Sequence, residues 1–171
     1  AQIARQVYTG KKSWNQGHYD VASEYIRRRR YAEAEREYQA VIKVVPTNFY
    51  PYLKLGDLKL AQGKIAEAKE LYSKALVLSK RFPYAYAKLG TLYLMQNSPE
   101  RALPLLRQAE KYAASRRDFD RQSRGRLHYA LAVALAQAGR GLEAVREARI
   151  ARSLLPNDPA VQQLLKQLGV R

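Results

Sequence analysis

Laid out on a period of 34 residues, the chain repeats itself. With Asn15, Phe49, Pro83 and Gly125 as first residues, the eighth place holds Ala22, Gly56, Gly90 and Ala132. The twentieth place holds Ala34, Ala68, Ala102 and Ala144, and the twenty-seventh holds Val41, Ala75, Ala109 and Ala151. Small residues recur where two helices of one unit approach closely, with larger apolar and aromatic residues around them. A unit of this size cannot bury its apolar faces alone, so neighbouring units must stack and share a core. No stretch shows extended β-branched alternation, so no sheet is predicted. No run approaches the roughly 18 consecutive apolar residues of a membrane-spanning helix.

The punctuation between apolar segments supports helical hairpins. Gly63 and Gly139 follow helix-periodic stretches, where a left-handed residue closes a helix without a side-chain clash. Asn97 is the next-best residue for that conformation, and Arg29 is the departure, a long side chain where glycine is usual. Ser98 and Pro99 predict an N-cap followed by proline at the first helical position, with Glu100 favourable near the positive helix end. Pro104 removes one backbone hydrogen bond from the helix that follows, which predicts a mild bend.

Four turns carry a family pattern in one register: Tyr31-Ala32-Glu33-Ala34, Ile65-Ala66-Glu67-Ala68, Pro99-Glu100-Arg101-Ala102 and Gly141-Leu142-Glu143-Ala144. With Leu55-Gly56, Leu89-Gly90 and Tyr93 before them, and Pro46 and Pro156 as closing prolines, the chain resembles the tetratricopeptide-repeat family over roughly residues 15–170. The resemblance implies an all-α, right-handed solenoid of four helix-turn-helix repeats, at about 15–48, 49–82, 83–116 and 125–158. A capping helix is expected at about 159–169, with Leu164, Leu165 and Leu168 on its apolar face. Residues 1–14 are expected to form a helix on the first repeat, through Ile3, Val7, Tyr8 and Trp14, or to be the remnant of an upstream unit. Residues 15–170 are read as a single domain.

The spacing breaks once, because the fourth unit starts 42 residues after the third rather than 34. The insertion falls at about 114–124 and contains no glycine or proline before Gly125, so extended helices around a short turn are expected there. Asp118 or Asp120 is expected to cap the next helix and Phe119 to pack against a neighbouring repeat.

The formal net charge of +16 favours acidic partners through long-range steering. It is spread along the chain: residues 1–100 carry 17 Lys/Arg against 9 Asp/Glu, and residues 101–171 carry 14 against 6. Two local concentrations, Arg27 and Arg28 with their neighbours, and Arg116, Arg117, Arg121 and Arg124 in the insertion, form a secondary basic surface, read either as solvated helix ends or as a binding feature.

No catalytic constellation, cofactor motif or metal set assembles, and the chain is read as non-enzymatic. His18 and His128 share the fourth place of their repeats and are read as packing residues, whereas the glutamates of the second helices, Glu143 and Glu147 included, are read as facing outward. The absence of cysteine removes disulfides, thiolate metal sites and thiol catalysis. It is compatible with the cytoplasm or with an exported compartment such as the periplasm. The first residue is Ala1 rather than Met, which fits a processed end or a piece of a longer protein.

In the family the first helices line a concave groove. Here its places hold Tyr19, Tyr50, Lys54, Tyr84, Lys88, Thr91, Arg126 and Tyr129, with Tyr50 and Tyr84, and Lys54 and Lys88, one repeat apart. The predicted partner is an acidic peptide or protein segment lying along these hydroxyls and charges. The carboxylate clamp of chaperone-binding members is excluded, because Tyr19, Ser23 and Tyr84 stand where the clamp needs Lys and Asn. Nucleic-acid binding through the basic surface and self-assembly as a scaffold are the rival readings, with a monomer slightly favoured.

Overall fold

The computed structural model describes residues 13–170, and these are helical with no strand among them. Ile3, Val7 and Tyr8 lie outside the described residues; Trp14 opens the first helix. In chain order the helices are α1 (Trp14–Arg27), α2 (Tyr31–Val44), α3 (Phe49–Ala61), α4 (Ile65–Leu78) and α5 (Pro83–Met95). They continue with α6 (Pro99–Ala113), α7 (Arg121–Gln137), α8 (Gly141–Leu154) and α9 (Pro159–Gln167). Consecutive helices pair as hairpins, and the contacts divide them into two compact units, Ala1–Ser79 and Lys80–Arg171.

All four hairpin turns use one device. Arg29, Gly63, Asn97 and Gly139 have φ of 57°, 74°, 51° and 74°. The next residue in each turn returns its N–H to a carbonyl five residues back: Arg30 to Tyr25, Lys64 to Lys59, Ser98 to Tyr93 and Arg140 to Leu135, at 2.8–2.9 Å. These bonds satisfy carbonyls that a helix end would otherwise orphan. Arg29 thus adopts the conformation that suits glycine, at roughly 1–2 kcal/mol for a residue with a Cβ. The Ser98 hydroxyl corrects one expectation: it donates to the Gln96 carbonyl at 3.4 Å and does not cap α6. The helix starts at Pro99 and runs on through Pro104.

In the first unit the core gathers Val21, Ala22, Tyr25, Ala34, Tyr38, Leu55 and Leu58. In the second, one cluster joins Leu94, Leu106, Phe119, Leu127 and Leu131, and another joins Ala132, Ala148 and Ala151 to Val161, Leu164 and Leu165 of α9. Asp158 caps α9 by accepting from the N–H groups of Ala160 and Val161, while Gln162, Gln163, Lys166 and Gln167 stay exposed. The insertion becomes a short turn between α6 and an α7 of 17 residues. Asp120 caps α7 through the Ser123 N–H at 2.7 Å, and Phe119 is 2 % exposed within the core.

The small eighth place sets how closely each hairpin closes. A Cβ at Gly56 would lie 2.5 Å from the Tyr72 ring, and one at Gly90 would lie 2.7 Å from Leu106 Cγ and Cδ2. Gly90→Leu is therefore expected to lower stability by about 1–3 kcal/mol or more, through overpacking. Lys64→Ala, which removes only an exposed ion pair to Glu67 at 3.6 Å, should change it by less than about 0.5 kcal/mol. Urea midpoints of the two variants check the difference; equal shifts would mean that the register is wrong.

Candidate functional site

In the first unit, α1 and α3 place their groove-side residues around an open cavity of ≈ 270 Å³. Tyr19, Ser23 and Ile26 of α1 face Tyr50, Lys54, Asp57 and Ala61 of α3 across it, with Tyr38 and Leu58 at its floor. Its walls are aromatic. The Tyr19 ring lies 4.8 Å from Tyr50 at 60°, an edge-on contact, and 6.2 Å from Tyr38. Asn48 ties the two repeats together here: its carbonyl oxygen caps α3 at the Tyr50 N–H, and its amide donates to the Tyr19 hydroxyl at 2.9 Å. This role for Asn48 was not foreseen from sequence.

The charges of the cavity sit on one side. Lys54 Nζ is 5.4 Å from the Tyr50 ring centre and 3.8 Å from an Asp57 oxygen. The other Asp57 oxygen accepts from the Tyr72 hydroxyl at 2.7 Å. Burial raises the Tyr38 phenol above its ordinary value, and burial also raises Tyr19 despite the Asn48 hydrogen bond. The cavity therefore presents the Tyr19 and Tyr38 phenols, whose neutral form burial favours, and the half-exposed Lys54 ammonium beside the Asp57 carboxylate.

In the second unit the corresponding residues are put to other uses. Tyr84 packs 4.6 Å from Phe119 and 5.4 Å from Phe82, and its hydroxyl donates to the Asp118 carbonyl at 3.0 Å, so it holds the insertion. Tyr129 is half-buried against the cluster that includes α9. Thr91 is exposed, with its hydroxyl donating to the Ala87 carbonyl. Lys88 is half-buried and Arg126 exposed.

The basic concentrations are largely internal fasteners. Arg27 and Arg28 both engage Glu24 at the end of α1. Arg124 donates to the carbonyls of Ala113 and Arg116 at 2.8 and 2.9 Å, closing the C-terminal end of α6. Arg121 donates to Leu154 and Ser153 carbonyls at 3.1 and 2.9 Å, closing α8. A guanidinium suits the negative end of a helix. Arg116 forms a bidentate pair with Asp118, and Arg117 is exposed.

A second cluster corrects the outward reading of the glutamates. Glu147 is 5 % exposed and accepts from His128 Nδ1 at 2.8 Å and from Arg107 at 2.9 Å, while Arg107 also reaches Glu110 at 2.9 Å. His18 and Glu37 make the same contact in the first unit at 2.6 Å, again 19 residues apart. The signal was in the sequence: both histidines stand at the fourth place and both glutamates at the twenty-third. In the repeats between, Tyr52 and Tyr86 fill the fourth place and donate to the Pro46 and Lys80 carbonyls instead. Glu110, His128 and Glu147 bring ligand-type atoms within 4.8 Å of one another, a spacing that suits a metal ion. The Arg107 guanidinium, bonded to both carboxylates, already supplies the positive charge between them.

Two family models match the chain: "TPR repeat" over residues 56–97 and "Tetratricopeptide repeat" over residues 88–159. Among curated protein sequences none matches. Solved structures similar to the chain include PilF from Pseudomonas aeruginosa, with a TM-score of 0.77 at 18 % identity over 90 % of this chain and 67 % of that one. MamA from Desulfovibrio magneticus, from residue 41 to its end, gives 0.75 at 18 % identity over 94 % and 86 %. A thermophilic TPR protein from Thermus thermophilus gives 0.71 at 16 % identity over 97 % and 86 %. At such identities the likeness is one of fold.

Two outcomes follow from the polar contacts. Burial pushes the Glu147 carboxyl up, but the His128 and Arg107 hydrogen bonds and the Arg107 charge outweigh it and hold it below the ordinary glutamate value. A depressed carboxyl contributes stability above its unfolded value, about 4.3, and loses it as pH falls through the folded one. Glu147→Gln should therefore lower stability at neutral pH by about 1–3 kcal/mol and reduce the further loss on acidification; parallel pH profiles for the two proteins would refute the pairing. Arg124→Ala, which frees two carbonyls, should cost a similar 1–3 kcal/mol or so. It should also speed tryptic cleavage at Arg116 and Arg117, which in the native protein should be slow.

Proposed function

The chain belongs to the tetratricopeptide-repeat family of protein-interaction scaffolds, and from that premise we propose that it binds an acidic, extended or helical segment of another protein without catalysis. The cavity of the first unit carries the reading. At ≈ 270 Å³ it lies just under the range of about 300–1,000 Å³ typical of small-molecule pockets, a size suited to a single large apolar side chain. Tyr19, Tyr38 and Tyr50 supply aromatic walls, the residue type that anchors most interfaces. Lys54 at the rim meets a flanking carboxylate, since Asp57 is also held by Tyr72. Residues 1–79 carry 14 Lys/Arg against 8 Asp/Glu, a positive balance that suits an acidic segment. Lys88, Thr91 and Arg126 offer polar contacts in the second unit. Nucleic-acid binding through the insertion is the weaker reading, because Arg116, Arg121 and Arg124 are engaged internally.

The test uses arrayed peptides of Asp and Glu that carry a single Leu, Ile, Phe or Trp. Wild type should prefer them to peptides with no apolar residue. Tyr50→Ala should weaken the best of them by roughly 2 kcal/mol, while the thermal transition moves little. Lys54→Glu should slow association and flatten its salt dependence. Equal binding of purely acidic peptides by wild type and Tyr50→Ala would sink the cavity as the anchor.

A further inference from the structure

The charge of the second unit, 17 Lys/Arg against 7 Asp/Glu in residues 80–171, is not all absorbed by internal contacts. On α8 the inward face is Ala144, Glu147, Ala148 and Ala151, all buried. The opposite face reads Leu142, Arg146, Arg149 and Ser153, spaced four, three and four residues apart and so in one stripe. Arg146, Arg149 and Arg152 enter no hydrogen bond or ion pair among the described residues, although the Arg146 charge helps to lower the Glu143 carboxyl from a distance. Glu143 itself is occupied by a bidentate pair with Arg140. These guanidiniums thus differ from Arg121 and Arg124, whose donors are spent on helix ends.

The same face exposes apolar bulk. Leu142 is 92 % exposed, the most exposed of the large hydrophobics, and Ile150 is 36 % exposed beside Arg146 and Arg149. Leu142 stands three residues after the left-handed Gly139, in the first turn of α8, so it projects from a hairpin corner. Leucine and isoleucine held in water among unpaired arginines are what an anionic bilayer takes up: phosphates pair with the guanidiniums while the apolar tips enter the headgroup–acyl boundary. A nucleic acid would engage the arginines but leave Leu142 in water. An acidic protein would need its own pocket for Leu142, and nothing in the stripe, the outward side of one helix, shapes a groove for a peptide.

We propose that the outward face of α8 contacts anionic membrane surfaces, with Arg146 and Arg149 on lipid phosphates and Leu142 and Ile150 in the boundary layer. The face belongs to the second unit, and the proposal does not depend on what the cavity of the first unit binds. With few charges and little inserted area the contact is reversible and sensitive to salt and lipid composition.

The test is cosedimentation of the full chain with vesicles of equal parts phosphatidylglycerol and phosphatidylcholine, against phosphatidylcholine alone. The protein should pellet with the first and not the second. Loss of each arginine's attraction is worth roughly five-fold, so Arg146→Glu with Arg149→Glu should weaken binding at least about 25-fold. Leu142→Gln should weaken it on the order of ten-fold. Arg36→Glu, an exposed site on α2, should change it by less than about two-fold if the effect is local rather than a matter of net charge. All these positions are exposed, and an unchanged thermal transition establishes that each variant is folded. Absence of pelleting, pelleting that survives the double reversal, or an equal loss in Arg36→Glu overturns the proposal. Full affinity in Leu142→Gln, with displacement by a random RNA oligomer, overturns it in favour of a phosphate-reading nucleic-acid face.

Discussion

Two helices can pack at close range only where the facing side chain is small or absent, and this chain meets that demand at the eighth place of each repeat, with Gly56 and Gly90 or with Ala22 and Ala132. Gly56 leaves room for the Tyr72 ring and Gly90 for Leu106, both at the twenty-fourth place. The other two repeats hold Ala22 and Ala132 at the eighth place, with Tyr38 and Ala148 at the twenty-fourth, and all four residues are buried. Packing at the density of a crystal leaves little slack for a change at either residue. The left-handed turn follows seven residues later in every repeat, so it can reverse the chain only if the helices already lie this close. The close approach and the reversal therefore act as one constraint, repeated four times with different residues.

Between the closely packed small residues the fourth place carries a polar group that must be satisfied. Two solutions occur, one in the outer repeats and one in the two between. Tyr52 and Tyr86 send a hydroxyl back to the segment before their own helix, whereas His18 and His128 reach forward to a glutamate on the second helix. The tyrosine solution uses a neutral donor and a backbone acceptor, and exchanging it for the other needs two substitutions at once. A lone histidine would leave its ring nitrogen facing an apolar twenty-third place, Leu71 or Leu105, and a lone glutamate would bury a charge without its donor. The pairing of places four and twenty-three is thus coupled, and the fully satisfied set of buried polar side-chain atoms among the described residues is its visible result.

Much of this was legible beforehand because it depends on spacing. The small places, the turn residues, the Asp120 cap and the burial of Phe119 follow from local rules about what fits a tight contact or a helix end. The cavity around Tyr19, Tyr50 and Lys54 was legible as a set of places facing one way, although Asn48, which tethers Tyr19, belongs to a loop and has no periodic signature. What escaped was partnership. Glu147 sits in a helix among charged neighbours and has the pattern of an outward residue. Only the identity of the residue 19 positions earlier shows that it turns inward. Tyr84 matches Tyr50 by register, yet the insertion supplies Phe119 and the Asp118 carbonyl as nearer partners and draws it away. Register reports which face a residue occupies; it does not report what a neighbouring loop will place there.

The same limit applies to charge. Read along the chain, +16 divides evenly and suggests a uniform field, with dense runs at Arg27–Arg30 and in the insertion. The folded chain redistributes it by use. Arg121 and Arg124 bond to carbonyls at helix ends, Arg107 bridges two glutamates, and Arg27, Arg28, Arg116 and Arg140 each face a carboxylate. A guanidinium already committed in this way has fewer donors left for a partner, and its charge is partly balanced at contact range. The arginines of the α8 face have no such commitments among the described residues, so a run that looks sparse in the sequence carries more available charge than the dense insertion does. Counting arginines locates where charge is written; only their hydrogen bonds decide where it remains to be used.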